Sequence, residues 1–378
     1  MEKTLNLKIR QSNFELMRII SMFMIVMWHV IISGVGLSQA NNTLTLFLDI
    51  IKSVLVVHVN SFVLVTGYFQ STSKFHLKKV LNLIATSWFY RIVAVIIVLA
   101  LSLTTLTNLE ILNNVFILPL EHEHWFIHYY ILLYILSPFF NKFIERSSQG
   151  ELKKLVLTLV FINCFLPYLT NQGFFNTSFG FSLYHFITLY FIGAYFRKYP
   201  LKQSYHFKNM SIKHFRLLMV LIFFGCAFGS LTILYLGKYI CSFAIPGSIL
   251  FEIGAIFQTH PAAYDFPLIV IQSCAYFLFF STFSFKNKFI NNLSTLMIGV
   301  YLIHESELLK PYIYKLFPFL VDKHSPFEII LQIIVVACIV FVCSIIIELF
   351  RKKIVELIRF LALKIKNKRV NRYIESCK

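Results

Sequence analysis

An all-α, polytopic helical bundle in a membrane, with about ten transmembrane helices and both termini cytoplasmic, is the fold class that this sequence predicts. Three observations point there. Of 378 residues, 58% are apolar and only 14% charged, with a mean hydropathy of +0.73; a soluble domain carries roughly 45 to 50% and 25%. Apolar runs of the length needed to cross a bilayer start near residues 14, 47, 80, 125, 154, 181, 217, 266, 290 and 327. Basic residues collect in alternate connections, as they do on the cytoplasmic side of membrane proteins.

Taken in order, the first run follows Lys3, Lys8 and Arg10 and continues to about Ile32 with no small-x-small cleavage site, so a retained helix is expected rather than a signal peptide. With ten spans, segments 1–13, 70–79, 141–154, 197–216, 285–288 and the tail from 351 fall inside and hold most of the 35 lysines and arginines. Lys238, Lys310, Lys315 and Lys323 fall outside, and Arg18, Lys52 and Arg91 within spans. An eleventh apolar stretch, 239–257, contains Pro246, Gly247, Glu252 and Gly254. Counting it as a full span would move either Lys286 and Lys288 or the basic tail across the membrane, so it reads as an outer re-entrant or interfacial element. The organisation is a cytoplasmic segment 1–13, one transmembrane domain 14–350 and a basic cytoplasmic tail 351–378, in which Ile354, Leu357, Ile358 and Leu361 keep helical spacing.

The net charge of +18 invites a nucleic-acid reading, but no basic stripe exists apart from the segments between apolar runs. Cysteines at 164, 226, 241, 274, 338, 343 and 377 lie singly, so neither a zinc site nor a disulfide framework is indicated. Function then sits where lipid should have excluded polar side chains. Arg18 and His29 in the first helix are eleven residues apart, which returns to within about 20° of one face and separates them by about 16 Å. Glu15 can pair with Arg18. The second span carries His58, Asn60, Ser61 and Thr66 before Gly67, with Asp49 and Lys52 spaced as a local ion pair. The alternative use of Asn60 or Ser61 is to bond across helices, and of Gly67 to let helices approach. Arg91 is too deep to reach the inner interface easily. Glu121, His122, Glu123, His124 and Trp125 precede the fourth span; they lack the i, i+4 histidine pair of helical zinc sites and suit a sugar at least as well. His304 and Glu305 end the ninth span at the depth of His29, an arrangement fit for a general base, although a pH sensor or a structural pair fits the same residues.

Five stretches in order resemble the membrane-bound acyltransferase-3 family, and within it the polysaccharide O-acetyltransferases: Arg18 and His29 with ten residues between, FVLVTGYF, HWFIHYYILLYILSPF, FIGAYFRKY and VYLIHE. The similarity covers about residues 12 to 350. It implies transfer of an acyl group, usually acetyl from acetyl-CoA, to a hydroxyl of a cell-surface polysaccharide or its lipid-linked precursor, in the cell membrane. It implies His29 as the catalytic histidine and Arg18 as the residue that holds the donor or orders the site. His304 and Glu305 are expected to orient His29 or the acceptor, with Glu15, Asn60, Thr66, Arg91, Glu121, His124 and Trp125 as candidate substrate contacts. Arg197, Lys198 and Lys202 are weaker candidates for the donor phosphates. No metal or bound cofactor is expected; acyl-CoA is a substrate, the other partners are the glycan and membrane lipids, and a homo-oligomer stays open. Thr66 stands where the family usually has serine, and no extracytoplasmic hydrolase-like domain of the kind some members carry is expected, so that the membrane domain transfers directly or a separate protein finishes the transfer. A transporter, flippase or polymerase of lipid-linked glycans is the rival reading, and a pH sensor the third.

With both ends inside, Cys377 takes the cytosolic side. A membrane-impermeant maleimide should label it only after the membrane is opened, and labelling in intact cells would break the ten-helix count.

Overall fold

The computed structural model describes residues 10–34, 37, 40–116, 124–170, 176–204, 207–319 and 324–376. Glu121, Lys323 and Cys377 lie outside them. Among the described residues every α or 3₁₀ element is helical and none is a strand. In chain order the helices are α1 Ser12–Ser33, α2 Asn42–Leu55, α3 His58–Gln70, α4 Leu77–Ala100, α5 Asn108–Phe116, α6 Trp125–Arg146, α7 Gln149–Cys164 and α8 Leu166–Leu169. They continue with α9 Leu183–Lys198, α10 Ile212–Phe243, α11 Ile249–Thr259, α12 Pro267–Ser281, α13 Lys288–Leu293, α14 Met297–His304, α15 Lys310–Lys315 and α16 Pro326–Ser376.

Seven helical stretches among the described residues are long and apolar enough to cross a membrane: Ser12–Ser33, Asn42–Gln70, Leu77–Ala100, Gln149–Leu169, Ile212–Phe243, Ile249–Ser281 and Pro326–Leu361. The chain is an all-α, multi-pass membrane bundle, and the expected count of ten is not reproduced. The three remaining runs are helices of a different kind. α6 carries Pro138 and many polar aromatics, α9 has 16 residues, and the run from 290 is broken into α13, a 3₁₀ turn Ser294–Leu296 and α14. Stretch 239–257 is also divided: α10 ends at Phe243, the chain reverses with Gly247 at φ +84°, and α11 runs back along α10. The two helices touch closely, since a Cβ on Gly237 would lie 2.4 Å from the Gln258 nitrogen.

α1 stands between two apolar clusters. Phe14 and Met17 join one with Val63 and Leu64 of α3, Phe186 and Tyr190 of α9, and Phe277 of α12. Val26 and Val30 join the other with Val300 and Leu302 of α14 and Ile329, Ile333 and Ala337 of α16. Helices in lipid gain little from apolar area alone, so close backbone approach and polar contacts hold them. The tightest approach is α3 on α9, where a Cβ on Gly67 would lie 2.2 Å from the Tyr190 carbonyl oxygen and one on Gly193 2.2 Å from that of Leu64.

Alongside runs a buried polar chain. The Asn163 amide donates to His185 Nδ1 (2.9 Å), which leaves His185 Nε2–H to donate to Asn60 Oδ1 (2.9 Å), and Asn60 Nδ2 donates to the Tyr264 carbonyl (2.9 Å). It ties α7, α9 and α3 to the segment before α12. A second clasp joins α4, α14 and α16: Tyr90 donates to the fully buried Glu348 (2.5 Å), Arg351 grips the same carboxylate with two bonds of 2.6 Å, and Gly299 makes room for it.

Gly67→Ala and Gly193→Ala should each lower the melting temperature and folded yield in detergent, because the obstructing atoms are backbone and the helices must part; overpacking costs about 1–3 kcal/mol. Gly225→Ala, with nothing within 4 Å of the new methyl, should be neutral or mildly stabilising. Equal behaviour of all three would remove the α3–α9 contact as a determinant of the fold.

Candidate active site

α1 carries polar groups at two levels. Near its start, Glu15 is buried and accepts from Arg18 Nη1 at 3.2 Å. Three turns further along, His29 faces α14 and the residue after it. The His29 Nδ1 lies 3.0 Å from His304 Nε2, and Glu305 Oε2 stands 2.7 Å from the same Nδ1. Lys310 pairs with the other Glu305 oxygen.

The proton positions follow from what each partner can accept. The Val300 carbonyl, 2.5 Å from His304 Nδ1, can only accept, so His304 carries its proton on Nδ1 and presents a lone pair at Nε2. That lone pair faces His29 Nδ1, so His29 carries its proton there and directs it at His304, with the Glu305 carboxylate beside it. His29 Nε2 is left with a free lone pair. Buttressing one imidazole nitrogen with acceptors so that the other can take a proton is the logic of a general base. Donor atoms of His29, His304 and Glu305 also lie within 4.8 Å of one another, a spacing that could hold a cation. Lys310 already brings positive charge to that carboxylate, which opposes a divalent ion.

Two cavities meet near these groups. One, of about 220 Å³, is lined by His29, His58, Glu305 and the aromatic rings of Trp28, Trp125 and Tyr264. The other, of about 650 Å³, holds three cations, Arg10, Arg18 and Lys79, with Thr66 and Gln70; its size is that of an ordinary ligand pocket. Phe62, Phe126 and Ile298 line both, so a thin apolar wall from α3, α6 and α14 is shared by the two. The 16 Å stripe expected on α1 thus runs from the basic cavity at Arg18 to the smaller one at His29.

The other expected residues divide. Trp125 lines the small cavity and stacks near Tyr264 (ring centroids 6.0 Å) and Phe181 (4.5 Å). His124, at φ +60°, is buried and edges against Tyr301. Thr66 lines the basic cavity while donating to the Phe62 carbonyl in its own helix. Asn60 lines neither cavity, because its amide is spent in the Asn163–His185 chain. Arg91 is buried and donates to the Asn113 carbonyl of α5, away from both cavity linings. Arg197, Lys198 and Lys202 also stay away: Lys198 caps the carbonyls of Ile144, Glu145 and Ser147, Lys202 those of Phe207 and Lys208, and Arg197 lies over the Tyr68 ring. Arg10 and Lys79, not expected at a site, line the basic cavity in place of Arg197, Lys198 and Lys202. Lys310, five residues past Glu305, and the Tyr90–Glu348–Arg351 clasp were not singled out from the sequence; an acid three residues before an arginine at the end of the last apolar run was the available signal for the clasp.

Nitrogen-15 NMR of histidine-labelled protein should find Nδ1 of His29 and His304 protonated and both Nε2 atoms bare. A His29 proton on Nε2 would contradict the bonding order and its use as a base.

The protein comparisons bear on this geometry. No curated protein and no solved structure matches the chain. A family model described as an acyltransferase domain matches residues 11–349, which takes in α1, the small cavity, all of the basic cavity's lining but Arg10, and the His29–His304–Glu305 cluster. Since that match spans most of the sequence, the chain belongs to the acyltransferase-3 family and is a membrane acyltransferase.

Proposed function

We propose that this protein is an O-acyltransferase of the cell membrane that moves an acyl group, acetyl in the simplest case, from acyl-CoA to a hydroxyl of a cell-surface polysaccharide or its lipid-linked precursor. The observation that carries the reading is the pair of cavities divided by Phe62, Phe126 and Ile298, cationic on one side and furnished with an oriented imidazole on the other. Both termini and the cationic cavity face the cytoplasm in this reading, where acyl-CoA is found. Arg10, Arg18 and Lys79 suit the donor phosphates, and Glu15 restrains Arg18. The rings of Trp28, Trp125 and Tyr264 suit the apolar faces of a sugar.

The reaction needs no redox partner. His29 Nε2 removes the proton of the acceptor hydroxyl as its oxygen attacks the thioester carbonyl carbon. The carbon–sulfur bond then breaks, the new ester is released, and the departing thiolate takes the proton from the imidazolium. His304 and Glu305 hold the ring and stabilise its transient charge, while Lys310 keeps Glu305 in place. Attack requires the reacting atoms within about 3 to 3.5 Å, so the thioester end of the donor has to pass the apolar wall to meet the hydroxyl.

His29→Ala should leave the protein folded and at normal abundance while acetyl content of the surface glycan, read by mass spectrometry and proton NMR, falls by about 10² to 10⁴ in initial rate, the contribution of a positioned acid–base group. Normal acetylation at normal protein level would overturn the assignment. A change in glycan sidedness or chain length without loss of acetyl would instead favour a transporter or polymerase.

A further inference from the structure

Two imidazoles line the small cavity, and the mechanism above uses one. His58, the first residue of α3, is 1% exposed, and among the described residues neither of its ring nitrogens has a hydrogen-bond partner. Its ring is held edgewise between Trp28 (centroids 5.5 Å) and Tyr264 (5.6 Å), so aromatic packing fixes its plane without engaging a nitrogen. Among the other buried histidines, His185 and His304 each use both nitrogens and His260 uses Nδ1, whereas His124 also has neither nitrogen bonded but lines neither cavity; His58 alone of these combines two unbonded nitrogens with a place in the wall of the small cavity. Leaving a buried donor and acceptor both unmade is costly, and such a group in a cavity wall implies a partner that arrives from outside the chain.

Position narrows the partner. His58 is four residues from Phe62, one turn along the same helix, and Phe62 belongs to the wall shared by the two cavities. An acyl group that passes Phe62 therefore reaches the level of His58 next, with His29 on another side of the same cavity. The group that arrives there is a thioester carbonyl, whose oxygen becomes negative when the acceptor hydroxyl adds to its carbon.

We propose that His58 is a catalytic residue that donates a ring N–H to that developing oxyanion. The inference rests on the acyl-transfer reading and deepens it. The donor is neutral imidazole and keeps its proton: the oxyanion forms as His29 takes the hydroxyl proton, is held by the His58 N–H, and collapses as the thiolate departs with the proton from His29. A donor fixed in advance where the charge develops is what oxyanion stabilisation requires.

The test uses full-length protein in membranes that contain the native glycan, with acetyl-CoA as donor and thiol release per amount of protein as readout. His58→Ala should lower kcat by about 10²- to 10³-fold with the KM for acetyl-CoA unchanged. His58→Gln, which keeps an N–H at similar reach and fills similar volume, should recover at least about tenfold of that loss. Undiminished kcat in His58→Ala would overturn the proposal. So would an effect confined to the acceptor KM, which would make His58 a sugar contact, or a folded glutamine variant no better than alanine, which would make the ring a spacer. Wild-type protein that releases no thiol would bring down the acyl-transfer reading first and this inference with it.

Discussion

The approach of α3 to α9 at Gly67 and Gly193 sets the distances on which both cavities depend. α3 supplies Thr66 to the basic cavity, Phe62 to the shared wall and His58 to the small cavity, all from three turns of one helix. Its outer placement is set by backbone contact with α9 on one flank and by α1 on the other. Were the glycine contact opened, these three levels would move together. A bundle in lipid has few alternatives, because apolar side chains meet lipid as readily as they meet one another.

The second constraint is that a polar group inside such a bundle must find its partners there. It sorts the intramembrane residues. Asn60, His185 and Asn163 form a chain in which every link dictates the donor of the next, and Glu348 is gripped by Tyr90 and Arg351; these groups are occupied and serve architecture. His29 is half occupied, its Nδ1 taken by His304 and Glu305 and its Nε2 left for chemistry. Lys198 and Lys202 spend their ammonium groups on carbonyls away from both cavities, whereas Arg10, with one bond to the Asn291 carbonyl, and Lys79 line the basic cavity.

Much of this was legible from residue order. The spacing of Arg18 and His29 placed both on one face, and VYLIHE put His304 and Glu305 at the depth of His29, because helical rise and periodicity are local properties. The family resemblance rested on those same residues. What stayed illegible was tertiary. Asn60 was expected at the substrate, yet only the meeting of α3, α7 and α9 reveals that its amide is already used. Arg91 was expected there too, and only the placement of α5 supplies its carbonyl. Hydropathy counted ten runs, but Pro138 and the tyrosines of α6, the shortness of α9 and the 3₁₀ break at Ser294–Leu296 depend on neighbours for their tolerance.

That break also connects architecture to chemistry. α14 begins only after it, and within two turns presents Ile298 to the apolar wall, Gly299 to Glu348, the Val300 carbonyl to His304 and Tyr301 to the small cavity. A longer uninterrupted helix from 288 would have to carry Ile298 and His304 along a single axis; the turn lets α13 pack near the start of α1 while α14 is aimed separately at His29. The wall then acts on both sides. Three apolar side chains line both the cationic cavity and the cavity that holds the imidazole, and in acyl transfer apolar groups between donor and base favour excluding water from the thioester. The short helix that orients the base is therefore also the one that lines both cavities, which joins the two features in a single eight-residue element.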